Sequence, residues 1–484
     1  MLLSEIFPGQ PETEITGICM DSRKVRSGNI FFCIKGLEAD GHAYAEAAVK
    51  AGAVAVVYSE PDLKVTGSAV YIMTDDVGRE LNRAADIFYG HPSKGMTVFG
   101  VTGTNGKSTT TSVISDIWNR TGRPCGYMGT ISVRYGDYSR KPSLTTPDAI
   151  EIHSTLKEMK DHGMQGVAME VSSHGLALGR VDTVDFDVAV FTNLTYDHLD
   201  FHKTMENYFE AKKLLFRHMK KDGVAVINAD DEASYEGLKE CCSCRAVSYG
   251  IDNEADYRAE NLEISSKGTR FILNVKGTKY DVSTNLVAKY NIHNLLGAIA
   301  AMHETGMSIE EMLPYLGDIR QVDGRMEIID GGQDFNLIVD YAHTPDGFDK
   351  IFEYAESIKG NGSISAVFGC AGKRDKVKRK ILGEIASGHC ERIYVTEEDP
   401  RTESAEEIGA EIMSGIEEGK GVFIKDRFMA IEKAVKDANA GDCVLILGKG
   451  DEEYMYYGTG RVPWMGDNEA ARQALKERMY ECRL

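Results

Sequence analysis

The stretch MTVFGVTGTNGKSTTTSVISDIWNRTG, residues 96–122, limits the fold more than any other. An apolar, β-branched run enters a glycine turn, and the turn opens directly into residues with helical spacing. Strands joined to helices in this way build parallel sheets. The pattern recurs in QGVAMEVSS (165–173), DVAVFTNL (187–194) and GVAVINADD (223–231). It recurs again in FNLIVDYAHTPD (335–346), SISAVFGCAG (363–372), ERIYVTEEDP (391–400) and DCVLILGKGDE (442–452). Each apolar run ends in polar residues, and in such sheets ligands sit beyond the carboxyl ends of the strands.

A chain of 484 residues is too long for one ordinary core. The sequence predicts three α/β domains. Residues 1–94 form a small α/β unit that begins irregularly and then offers the helix-like HAYAEAAVKAGA and the strand-like VAVVYSE. Residues 95–325 form a central doubly wound domain, with ISSKGTRFILNVKGTKYDVSTNL as appended antiparallel hairpins. Residues 326–484 form a second doubly wound, Rossmann-like domain.

Apolar residues at 42% and charged residues at 27% fit a globular chain. A formal charge of −20 argues against nucleic acid or an anionic membrane as partner. No run of about 18 apolar residues predicts a membrane span, and MLLSEIFPGQPETE lacks a signal-peptide pattern, so the expected location is cytoplasmic. The ten cysteines are expected to be reduced thiols. Cys241, Cys242 and Cys244 cluster, without a second Cys/His pair nearby to complete a metal site.

The loop FGVTGTNGKSTT (99–110) departs from the strict phosphate-loop pattern, which needs glycine where Val101 stands. Its glycines are Gly100, Gly103 and Gly106. Backbone N–H groups at such a turn bind phosphate oxygens, Lys107 would neutralise phosphate charge, and Ser108 could reach a magnesium ion. The competing reading is an ordinary glycine turn before a helix.

GTNGKST in this setting resembles the Mur ligase superfamily, and further segments carry the resemblance in order along the chain. They are AMEVSSHGLALGRV (168–181), FTNLTYDHLDFH (191–202), YFEAKKLLF (208–216), YNIHNLLGAIAA (290–301), DGRMEII (323–329) and DYAHTPDGF (340–348). MDSRKVRSGNIFFCIKGLEADGHAY (20–44) and SLTTPDAIEIH (143–153) resemble the type that adds the third residue of the peptidoglycan stem peptide, the UDP-N-acetylmuramoyl-tripeptide synthetases.

The resemblance implies an ATP-dependent acid–amino-acid ligase of cell-wall biogenesis, acting as a monomer through an acyl phosphate. It implies ATP on Gly103, Thr104, Asn105, Gly106, Lys107, Ser108 and Thr109, with Asn291, Arg325 and Asp340 approaching as the last domain closes. It implies a catalytic set of Lys107, Glu170, His198 and Lys212. Two magnesium ions would be held by Ser108, Glu170, His198 and a carbamylated Lys212. UDP-N-acetylmuramoyl-dipeptide would meet Ser22, Asp40, Gly41 and His42, then Thr145, Thr146, Ser172 and Arg180. Leu178 stands where many relatives carry glutamine.

The incoming diamino acid would meet Arg374, Asp399, Arg401, Gly448 and Glu452. Arg401, in TEEDPRTES, suits the second carboxylate of meso-2,6-diaminopimelate, because a planar guanidinium can hold it with two hydrogen bonds. GKGDEE carries Asp451 where the diaminopimelate pattern has histidine, and VPWMGD resembles lysine-adding relatives, so L-lysine stays open beside diaminopimelate. Two further readings remain. One is a related ligase such as folylpolyglutamate synthase, which lacks an N-terminal domain bearing DSRKVRSGNIFF. The other is a non-catalytic copy with a drifted last domain.

Overall fold

The computed structural model describes residues 1–36, 39–64 and 67–481. It contains three α/β bodies, each built on its own sheet. The first sheet has four short parallel strands, Gly17–Cys19, Asn29–Phe32, Ala55–Tyr58 and Val70–Met73. Only the third of these is legible in sequence. Strands of three or four residues offer too few positions for a period to register, so the irregular opening conceals two strands. Helix Val77–Phe88, capped by Asp76, packs Leu81 and Ala84 against Ile30, Phe32 and Val57.

The second sheet has eleven strands. Its parallel centre runs, in spatial order, Arg245–Gly250, Met219–Asn228, Phe186–Phe191, Thr97–Thr102, Gly166–Glu170 and Cys125–Met128. Alternate residues of each strand face opposite sides. Phe99 and Val101 enter one core with Val113 and Ile117 of helix Lys107–Arg120 and Leu295 and Ile299 of helix Lys289–Glu304. Val98 enters the other with Leu156 of helix Ala149–Asp161 and Leu215 of helix Met205–Arg217. Burial on both faces makes the strands read as continuous apolar runs. The expected hairpins are present: Tyr257–Ser265, Gly268–Val275 and Thr278–Thr284 pair antiparallel and extend one edge of this sheet.

The third sheet runs Glu327–Ile328, Asn336–Asp340, Cys443–Leu447, Ile364–Phe368, Arg392–Val395 and Gly421–Phe423. All neighbours are parallel except the first pair. The late strand Cys443–Leu447 inserts between two earlier ones. Asp340 pairs with Leu447, so Tyr341 and Gly448 leave the sheet side by side. Among the described residues, no helix is long and apolar enough to cross a membrane. The nine described cysteines are all free, and Cys482 lies outside the described residues.

Candidate active site

Three adjacent strand ends make the floor of the site. Val101 pairs with Glu170 and Thr102 with Phe191, so the glycine loop, the Glu170 carboxylate and the segment after Phe191 emerge together. Gly103 has φ 152°, and a Cβ there would lie 1.8 Å from Thr192 Oγ1. Gly106 has φ 86°, and a Cβ there would lie 2.1 Å from Asn294 Oδ1. Space and backbone conformation both require glycine at these two positions. Val101 is a fully buried strand residue, so no glycine is needed there, which accounts for the shifted spacing. Gly106 caps helix Lys107–Arg120, whose first N–H groups are available to phosphate oxygens.

Lys107 folds back over the loop, donating to the carbonyls of Gly103 (2.9 Å) and Thr104 (2.8 Å). Burial lowers its pKa, while Glu170 and Asp197 pull it back up. Glu170 is 1% exposed. Tyr127 Oη and Thr130 N donate to its Oε1, each at 2.9 Å, and Thr130 Oγ1 donates to Oε2 at 3.0 Å. Thr130 Oγ1 also lies 3.0 Å from Thr145 Oγ1. Thr146 donates to the Glu170 carbonyl (3.0 Å) and accepts from Ser172 N (2.9 Å), and Arg180 donates to the Thr146 carbonyl at 2.8 Å. Thr145, Thr146, Ser172 and Arg180 thus form one network around Glu170. The buried Thr146 hydroxyl is already committed inside it.

His198 sits at φ 55°, with Nε2 3.4 Å from Asp197 Oδ2. Burial pushes its pKa down and keeps the ring neutral, the form that ligates metals. Lys212 is 1% exposed, with Nζ 4.4 Å from the Tyr208 ring centre. It has no carboxylate in ion-pair range among the described residues. Burial first, and then Lys107, hold its pKa well below the usual value. Asp340 is half-buried and accepts from the amides of Met326 and Ala342, both at 2.7 Å.

A cavity of about 850 Å³ between the second and third sheets gathers these groups. The loop 103–109, Thr145, Glu170, Ser172, His198, Lys212, Asn291, Arg325 and Asp340 all line it. Thr146 and Arg180 do not. Its donor set suits a hard divalent cation: a buried carboxylate and a hydroxyl at Glu170 and Ser108, and a neutral imidazole at His198. Several functional side chains escaped the sequence reading. Tyr127 and Thr130 orient Glu170, and Asn294 shares a helix face with Asn291 at i+3, donating to its Oδ1 at 3.2 Å. The Asn-x-x-Asn spacing in YNIHN was the available signal.

The other expected residues fall into two separate groups. Ser22, Asp40, Gly41 and His42 belong to the first body. Asp40 Oδ1 accepts from His42 N (3.0 Å) and Nδ1 (2.6 Å), while His42 Nε2 accepts from Ser59 N (3.0 Å). Both ring nitrogens of His42 are therefore used within the first body, one by Asp40 and one by Ser59.

Asp399, Arg401, Gly448 and Glu452 gather at the carboxyl end of the third sheet. Lys449 Nζ donates to Asp399 Oδ1 (2.9 Å) and Glu452 Oε2 (2.7 Å). Arg401, at φ 55°, lays its guanidinium 5.6 Å from the Tyr456 ring centre. Its buried Nε has no acceptor. Arg374 is half exposed, 3.7 Å from Asp200. In the VPWMGD segment Val462 and Met465 are exposed, whereas its last residue is enclosed. Asp467 is fully buried and takes two hydrogen bonds from Arg427, at 2.7 and 2.6 Å, so it anchors the fold and is closed to substrate.

A glycine loop at a helix start, a buried carboxylate, a buried lysine and a second domain across the cavity fit an ATP-dependent ligase. Family models match three stretches of the chain: Mur ligase family, catalytic domain, over residues 14–87; Mur ligase middle domain over 101–302; and Mur ligase, glutamate ligase domain, over 324–450. The chain belongs to the Mur ligase family. It is 40% identical over 478 residues to the UDP-N-acetylmuramoyl-L-alanyl-D-glutamate–2,6-diaminopimelate ligase of Geobacillus kaustophilus, covering 97% of this chain and 96% of that one. A solved structure of a ligase with the same name superposes with a TM-score of 0.70 at 32% identity, covering 99% of both chains. MurF ligase from Thermotoga maritima, in complex with ADP, shares the fold at a TM-score of 0.69 and 20% identity, over 97% of this chain and 99% of that one. The match over 14–87 covers the stretch that bears DSRKVRSGNIFF.

Proposed function

We propose that this chain joins meso-2,6-diaminopimelate to UDP-N-acetylmuramoyl-L-alanyl-D-glutamate, converting ATP to ADP and phosphate. The observation that carries the choice of amino acid is Arg401. Its guanidinium has no carboxylate partner among the described residues, and its Nε is buried without an acceptor. An unpaired buried donor on a cation is costly, and the distal carboxylate of diaminopimelate would satisfy it with a bidentate contact. Lysine brings no such anion. Asp467 at the end of the VPWMGD segment is held by Arg427 inside the fold, so that residue does not bear on the choice.

In this reading the loop 103–109 holds the triphosphate, and Lys107 draws off phosphate charge. The D-glutamyl carboxylate attacks the γ-phosphorus, giving an acyl phosphate and ADP. The deprotonated amine of the amino acid then attacks the acyl carbon; phosphate leaves as the amide forms. Bound magnesium supplies charge screening between the two anions, and Ser108, Glu170, His198 and carbamylated Lys212 would hold two ions. Lys212 fits that role because burial and Lys107 disfavour its ammonium form, and the free amine form can add to carbon dioxide to give an anionic ligand. Ser22 and the Asp40–His42 turn would take the uridine nucleotide.

The test is ADP release by the purified chain with the dipeptide nucleotide, magnesium and bicarbonate, offering diaminopimelate, lysine or neither. Turnover should require diaminopimelate, and Arg401→Ala should raise its KM by about 100-fold, the scale of a lost charge-assisted pair. Preferential turnover of lysine would overturn the assignment.

A further inference from the structure

We propose that Tyr341 is a positioning residue that couples nucleotide binding to capture of the incoming amino acid. The inference rests on the reading above, in which Arg325 meets ATP and Glu452 meets the amino acid. Tyr341 leaves its strand beside Gly448 because Asp340 pairs with Leu447. On one side, the Arg325 guanidinium carbon lies 3.9 Å from the Tyr341 ring centre, and Arg325 Nε is buried without an acceptor. On the other, Tyr341 Oη donates to Glu452 Oε1 at 3.1 Å. The second Glu452 oxygen accepts from Lys449, and Lys449 also holds Asp399, two residues before Arg401. A single ring therefore touches the arginine of one site and, through its hydroxyl, the carboxylate of the other.

The backbone reinforces the link. A Cβ on Gly324, the residue before Arg325, would lie 2.2 Å from Asp451 N, the residue before Glu452. The two segments rest directly on each other, so a shift in one displaces the other. Phosphates that draw on the Arg325 guanidinium change its stacking on the ring. The ring sets where Oη, and with it Glu452 Oε1, is held. Coupling of this kind is reciprocal in binding free energy.

The test compares Tyr341→Phe with Tyr341→Leu in the full chain. Phe keeps the ring under Arg325 and removes only the hydroxyl. Its KM for diaminopimelate should rise 5- to 20-fold, with the KM for ATP within twofold of wild type. By calorimetry, a non-hydrolysable ATP analogue should tighten diaminopimelate binding to wild type, and this enhancement should be lost in Tyr341→Phe. Leu removes both contacts and should raise both KM values. Thermal midpoints of the variants confirm that each is folded. Unchanged diaminopimelate KM with intact enhancement in Tyr341→Phe, equal rises in both KM values, or no enhancement in wild type would each overturn the coupling. Failure of the functional reading looks different: wild type would then turn over another diamino acid, and the same calorimetric comparison with that amino acid still decides the role of Tyr341.

Discussion

Glu398 stands in a position where ionisation is penalised. It is buried against Gly448, its Oε2 has no hydrogen-bond partner, and burial raises its pKa to about 7 despite Arg427, Lys449 and Lys378. A carboxyl whose pKa is raised in the folded state favours folding below its unfolded pKa of about 4.5 and loses that contribution as pH rises through about 7. Glu398→Gln, which fixes the neutral form, should therefore raise stability at pH 8 by roughly 3 kcal/mol and leave it nearly unchanged at pH 4. Urea denaturation at the two pH values measures this, and an equal effect at both would contradict it. The cysteine cluster gives a second test at this scale. Hydrogen bonding to Cys242 lowers the Cys241 and Cys244 thiols to about 7, with Lys213 and Arg217 assisting at Cys241, while burial raises Cys370 and Cys443 to about 12. Iodoacetamide at pH 7 should label Cys241 and Cys244 at least roughly tenfold faster than Cys370 or Cys443, as read by peptide mass spectrometry. Equal rates would refute the assignment. Cys241, Cys242 and Cys244 were visible in sequence as a cluster; their differing acidities depend on packing that composition does not encode.

Among the elements, two helices depend on one ion pair. Arg427 opens helix Arg427–Asp437 and Asp467 opens helix Asp467–Glu481, and both side chains are fully excluded from solvent. Arg427 also donates to the Leu447 carbonyl at 2.8 Å, fixing the strand end that leads to Gly448. Asp467→Ala would strand a buried guanidinium and should cost about 3–5 kcal/mol. The double replacement Arg427→Met with Asp467→Leu should recover most of that loss, because the paired charges bring little net stability of their own. A single-variant loss below about 1 kcal/mol would rule out this account. This pair was not legible in the sequence: Asp467 ends a segment that resembles lysine-adding relatives, but its partner lies 40 positions away, and no local pattern reveals such a partner. The strands leading into the site were legible for the opposite reason: burial on both faces gives each an unbroken apolar run ending in polar residues.

At the scale of the whole molecule, the active site exists only because two sheets face each other across it. Sequence motifs gave each wall separately, since Gly103–Thr109 and Glu170 lie in one body and Asp340, Arg401 and Glu452 in another. Which residues touch across the gap depends on how the bodies dock, and that is written in no single segment. Asp346 is the clearest such contact. It sits in the first turn of helix Pro345–Ile358, and its Oδ2 accepts from Asn105 Nδ2 of the phosphate loop at 2.8 Å and from Thr195 Oγ1 at 3.4 Å. Lys350 of the same helix donates to that oxygen at 2.9 Å. Hydrogen bonds to a charged group are worth about 1.5–3 kcal/mol, and the cross-body pair belongs to the state in which the loop is braced. Asp346→Ala should therefore weaken ATP about tenfold, since each 1.4 kcal/mol is a factor of ten. It should leave the thermal midpoint nearly unchanged, because the contact joins two bodies that each keep their own core. Steady-state KM for ATP and a thermal scan test the two halves independently. An unchanged ATP KM would mean that the loop is held by its own body alone, through Asn193 Oδ1, which accepts from Asn105 N at 2.9 Å.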